Sequence, residues 1–164
     1  MIKGLIACIG TAFFAFSTIA TEQDIEAWTL ACAEDSPCTI TQLVMAEKAG
    51  KSGVVGGVTY FHSANQPILK VRFTPDALKS KGVGLKVDGH SPLHLPITGC
   101  DGKVCEVNVA VDNKLLNELT TGKILAVAYV NQANQQMTFP VILTGFDKAL
   151  SLMPTRQSPK PATI

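Results

Sequence analysis

The sequence predicts an all-β domain, an antiparallel β-sandwich with two short helices, and three observations predict it. Short alternations of apolar and polar residues recur along the chain, the period-2 mark of half-buried strands. Turn dipeptides and Gly/Pro clusters separate them at regular intervals. Only two stretches place apolar residues at helical spacing. Eight or nine short strands of this kind close best as two packed sheets.

The stretch 85–130 shows the pattern most plainly. Val83, Leu85 and Val87 alternate with Gly84, Lys86 and Asp88, and Leu93, Leu95 and Ile97 repeat the alternation. The turn Cys100-Asp101-Gly102-Lys103-Val104-Cys105 follows, where Asp-Gly favours a reversal. Cys105, Val107, Val109 and Val111 then form one face, and this strand is expected to pair with 93–97 across the turn. Asp112 can N-cap a helix with Leu115, Leu116 and Leu119 on one side, and Gly122 suits its C′ position. Residues 124–130 return as a strand.

Upstream, residues 26–32 hold the single tryptophan, Trp28, expected to be buried against the first cysteine pair. Residues 38–45 alternate weakly, and 46–53 read as a solvated loop or hairpin tip. The next strand, 54–61, contains Gly56-Gly57, which marks a bulge or a close backbone approach. In 68–73, Leu69, Val71 and Phe73 point inward and Lys70 and Arg72 outward. Residues 74–78 open a turn with room for one helical turn. Downstream, 136–143 is a strand that Pro140 confines to an edge or a bulge. Phe146, Ala149, Leu150 and Met153 give a last short core-packing helix, and a proline-rich tail at 154–164 is expected to be disordered.

Residues 1–20 read as an export signal: Lys3 begins it, an apolar run follows, and Thr18-Ile19-Ala20 offers small residues for cleavage. The run is short for a membrane span, which takes ~20 residues. Cys8 comes too early in the run to act as a lipidated cysteine. The folded domain is therefore expected over 21–153, without a transmembrane segment. Removing the signal removes Lys3 and no acid, leaving 13 basic and 13 acidic side chains. A chain of zero net charge is a poor nucleic-acid binder.

Cys32, Cys38, Cys100 and Cys105 remain, an even set in an exported chain, which reads as structural disulfides. Three connectivities are open; the local pairs are favoured because each brackets a turn. A four-cysteine zinc site would use closer ligand spacing, and a redox pair would have two intervening residues. His90 and His94, with Pro92 between them, do not share a helix face, and with His62 they read as surface histidines. Asp88, Asp101 and Glu106 suit turn and surface roles. No nucleophile, base or metal constellation assembles in the sequence, so neither an enzyme nor a cofactor is expected.

Taken in order, Trp28, Cys32 and Cys38, the run Gly82 to Asp88, Leu95-Pro96-Ile97, the Cys100 to Cys105 turn, the helix from Asp112 to Gly122, Phe139-Pro140-Val141 and Gly145-Phe146 resemble the invasion-associated locus B family of exported bacterial proteins. The resemblance spans residues 25–152 and departs from the family pattern around 74–78. It implies an immunoglobulin-like β-sandwich in the periplasm or cell envelope. It also implies a protein or envelope partner of unknown identity, and the family's founding member is linked to host-cell invasion. It brings no catalytic residues, and it carries the four cysteines over as structural. Two binding roles follow, a macromolecule-binding module or an assembly factor that holds envelope proteins at a sheet edge.

The expected mature N-terminus is Thr21. Intact mass of the exported form checks it; a mass retaining residues 1–20, or a lipid on Cys8, contradicts it.

Overall fold

The computed structural model describes residues 21–33, 36–48 and 50–154. The expected export signal and all of the expected tail except Pro154 lie outside the described residues. The strands form two antiparallel sheets. In the larger, β1 (Thr21–Ile25), β2 (Trp28–Ala33), β3 (Ser36–Lys48), β4 (Lys51–His62) and β5 (Pro67–Phe73) lie side by side in chain order. The smaller contains β6 (Val83–Val87) and β7 (Leu93–Leu95). The chain then returns to the larger sheet as β8 (Gly99–Cys100) and β9 (Cys105–Ala110), with β9 against β5 and β8 outermost. After helix α1 (Asn113–Thr121), β10 (Ile124–Val130) and β11 (Gln136–Ile142) complete the smaller sheet in the order β11, β10, β6, β7. Helix α2 (Phe146–Leu152) follows.

The alternation in the sequence becomes the core. Val58 and Tyr60 on β4, Leu69, Val71 and Phe73 on β5, and Val107 and Val109 on β9 are buried. From the other sheet Val83, Leu85 and Val87, then Leu125, Val127 and Tyr129, then Phe139 and Val141 are buried too. Phe73 stacks on Tyr129 with ring centroids 4.8 Å apart, one aromatic from each sheet. Trp28 is buried, but its ring partner is Phe146 of α2, 5.0 Å away, while Tyr60 meets Phe146 edge-on at 5.5 Å. Cys32 and Cys38 pack, partly buried, against the same core cluster.

Two contacts bring β11 onto the larger sheet. A Cβ at Gly56 would lie 2.3 Å from Phe139 Cζ, so the ring occupies the space a side chain would need. Gln42, a buried polar residue, donates from Nε2 to Ile142 O and accepts at Oε1 from Ile142 N, both at 2.8 Å. Its amide stands in for a neighbouring strand.

Several expectations change. A strand precedes Trp28: β1 pairs with β2 from Thr21↔Cys32 to Ile25↔Trp28. Its first four residues are exposed and polar, and its tight turn uses Glu26 at φ 57° where an Asn-Gly pair would have signalled a hairpin. Leu93 does not pair with the strand at Cys105. It lies against Leu85 in the smaller sheet, and the chain crosses between sheets after Leu95, burying Ile97 on the way. Period-2 alternation carries no information on which neighbour pairs with the strand, and here its apolar positions are not fully buried, Leu93 being exposed. The single helical turn falls at Lys79–Lys81, later than 74–78. Asp112 does cap α1, accepting from Leu115 N at 2.8 Å. Gly122 closes the helix at φ −75°, so no left-handed residue is needed; a Cβ there would come within 2.5 Å of Val87 Cγ1.

Asp88, at φ 42° after β6, accepts from Lys123 N at 2.8 Å and Ile124 N at 3.0 Å, fastening β6 to the start of β10. These donors hold its carboxyl below the usual 3.8. The stability they add is present above that value and is lost as the pH falls through the lower folded-state pKa. Asp88→Asn is expected to lower the melting temperature at neutral pH and to flatten the loss below about pH 4. Melting curves across the acid range check it; parallel curves for both proteins would contradict it. Gly56→Ala is expected to cost about 1–3 kcal/mol by overpacking Phe139, measured by urea denaturation, and Phe139→Leu in the same chain should recover part of the loss.

Candidate functional site

β3 and β4 run on beyond the point where β11 covers them. Met45, Ala46 and Glu47 on one strand and Lys51, Ser52, Gly53 and Val54 on the other are exposed, so the hairpin projects into solvent. Its ladder pairs Val44 with Gly56 and Met45 with Val54, leaving Val55 as a bulge that twists the projecting part. Leu43 and Met45 lie two apart on one strand and Val54 opposes Met45, so all three share the outward face. They are 64%, 56% and 54% exposed.

Gly57 opposes Leu43 in the same ladder and also faces outward. The Leu43 side chain leans over it, 3.0 Å from where a Cβ would stand, and beside them a trough of about 400 Å³ opens on the surface. Leu43 from β3, Val54, Val55 and Gly57 from β4 and Arg72 from β5 line it, together with Pro75, Lys103 and Val104 from adjoining turns. One wall is apolar and the other carries two cations. Thr74, also in the lining, is held from below, donating to Asp76 and accepting from the Tyr129 hydroxyl.

The turn that carries Lys103 is built tightly. Cys100 and Cys105 lie opposite each other in the ladder with their sulfurs at disulfide distance. Asp101 Oδ1 accepts from Lys103 N and Val104 N, both at 2.9 Å, and Gly102 takes φ 83°. Those donors hold the Asp101 carboxyl below its usual range, with Arg72 adding to the effect. On the sheet surface Glu106 Oε2 lies 3.2 Å from Arg72 Nε and 3.9 Å from Lys70 Nζ, one carboxylate shared by two cations. Cys32 and Cys38 are likewise at disulfide distance, joining the ends of β2 and β3.

The remaining candidates are scattered. His62 Nε2 lies 2.9 Å from the Tyr60 hydroxyl, His90 Nδ1 lies 3.5 Å from Glu118 Oε1, and His94 sits on β7. Asp88 is occupied with backbone donors. Among the described residues no three His, Cys, Asp or Glu side chains gather as a metal cluster. The sequence reading missed Leu43, Met45, Val54, Arg72 and Lys103 as a group. One signal was present: the run Leu43-Val44-Met45 is apolar on both faces, so a strand there must present apolar side chains to solvent or to a partner.

The molecule is thus a small two-sheet sandwich, laced by short-range cysteine pairs and presenting an apolar hairpin beside a cationic turn. Residues 28–154 match the family model described as Invasion associated locus B (IalB) protein, and the chain belongs to that family. Among solved structures it is similar to invasion associated protein B from Bartonella henselae, at 22% identity and a TM-score of 0.72, covering 81% of this chain and 95% of that one. No curated protein matches the chain.

Replacing Cys100 and Cys105 with serine is expected to lower stability by about 2 kcal/mol, the value for a short closed loop, and to leave the fold intact. Denaturation of the double variant checks this. Non-reducing peptide maps should show no fragment joining Cys32 or Cys38 to Cys100 or Cys105.

Proposed function

We propose that this chain is an exported, non-catalytic protein of the bacterial cell envelope that binds another macromolecule through the outward face of the β3–β4 hairpin. One observation carries the reading: Leu43, Met45 and Val54 stand together, more than half exposed, on a hairpin that projects from the sandwich. Large apolar side chains grouped on a projecting element lose contact with water only when a partner covers them. Family membership and the cysteine pairing support export to an oxidising compartment. No described helix is long and apolar enough to cross a membrane. The four cysteines serve the scaffold in this reading. A role in host-cell invasion is its narrower form, supported by the printed name of the structural relative.

The outermost strands of the two sheets resist strand addition, the mode an assembly factor gripping its clients at a sheet edge would use, and the open edges that remain belong to the hairpin itself, beyond Thr41 on β3 and before Gly56 on β4. β1 presents Thr21, Glu22, Gln23 and Asp24 to solvent. β7 is three residues long, between Pro92 and Pro96, and β8 is two. On β11 the outward backbone groups of Ile142 are taken by Gln42, and Pro140, two residues back on the same side, has no N–H to offer. Short, charged or proline-bearing edges resist an added strand.

A photo-crosslinking residue at Met45, in intact cells, should give a discrete adduct that the same residue at exposed Lys86 on the other sheet does not. Leu43→Asp should remove the adduct while changing stability by no more than about 0.5 kcal/mol. Equal labelling from both positions would point away from the hairpin.

A further inference from the structure

We propose that the segment received by the trough is an acidic, apolar-studded stretch of polypeptide, an inference that rests on the hairpin face being the binding surface. Charge complementarity carries it. The trough lining contains the cations Arg72 and Lys103 and no carboxylate. The nearest acids are already committed: Asp101 to the backbone of its own turn, and Glu106 to Lys70 and Arg72 together. Lys103 makes no ion pair with the described residues. A carboxylate between Arg72 and Lys103 gains two partners and displaces none, whereas a second cation there meets repulsion.

The opposite wall sets the rest of the ligand. Leu43, Val54 and Val55 receive an apolar side chain, with the Leu43 side chain lying over Gly57 as part of that wall. The trough lies on the sheet surface and leaves one side of its occupant in water. A peptide tolerates that, because its backbone and alternate side chains are polar; a hydrocarbon chain keeps half its surface hydrated and gains little. The two walls face each other across a single strand, so the acid and the apolar side chain come from neighbouring positions of one extended segment.

The test uses the mature protein and two fluorescent peptides in anisotropy titrations, one alternating leucine with aspartate and the other leucine with lysine. The aspartate peptide is expected to bind about tenfold or more tightly than the lysine peptide, and more weakly as salt is raised. Lys103→Glu should weaken it about tenfold, Lys103→Gln less, and Leu43→Asp should abolish it, with melting temperatures checked for each variant. Equal affinity for both peptides, indifference to Lys103→Glu, or displacement of the peptide by dodecanoate at equal or lower concentration would overturn the proposal. If Met45 still crosslinks a partner in cells when these peptides show no charge preference, the choice of ligand chemistry is wrong and the binding face stands. If neither experiment responds to the hairpin, both readings fall.

Discussion

Phe139 rests on Gly56, and most of the molecule follows from that contact. The ring fills the place of a missing side chain. It draws β11 close enough for Gln42 to reach the backbone of Ile142, so one edge of the smaller sheet is both packed and hydrogen-bonded to the larger. A buried amide such as Gln42 is tolerated because both its donor and its acceptor are used. Covering ends there, and β3 and β4 continue into water. The projecting hairpin is therefore the remainder of two long strands after a shorter sheet has been seated on them.

The parts of the fold legible in the sequence were those where local pattern and tertiary neighbour agree. β9 from Cys105 to Val109 and β5 from Leu69 to Phe73 alternate apolar with polar residues, and their inward residues are the buried ones, while β10 is apolar throughout and buries every second residue. Asp112 announced α1 through chemistry confined to a single turn. The strand around Leu93 alternates equally well, yet its partner is Val83 to Leu85, because pairing is decided by where the chain travels after Leu95. β1 was illegible for another reason. As an edge strand in water it has one buried side chain, Ile25, and no face to betray it. Gly56-Gly57 was read as a bulge or a close approach, and the structure holds both, with Val55 bulged and Phe139 against Gly56.

The candidate site was less legible than the fold. Its apolar wall comes from β3 and β4, and its cations from β5 and from a turn some thirty residues further on. Arg72 and Lys103 looked like ordinary solvated charges, since only the sheet order β3, β4, β5, β9 brings them to one trough. The cysteine-bracketed turn was conspicuous in the sequence as a scaffold. Its contribution to a surface became visible only once Val104 and Lys103 were seen on the rim.

The two adjacent glycines leave the wall of the molecule one peptide thick. Gly56 faces Phe139 in the core and Gly57 faces outward beneath the Leu43 side chain, and neither glycine adds a side chain of its own. An occupant pressing on the outside meets Leu43, and behind that side chain only backbone separates it from a core aromatic. The flipping rate of the Phe139 ring, or the resonance of a fluorine placed on it, becomes a spectator of events at the surface. The partition is also intolerant in two directions, since a methyl group added at Gly56 crowds Phe139 and one added at Gly57 presses on the Gln42 carbonyl and the Leu43 side chain. In this dipeptide, packing and recognition are opposite faces of a single membrane of main chain.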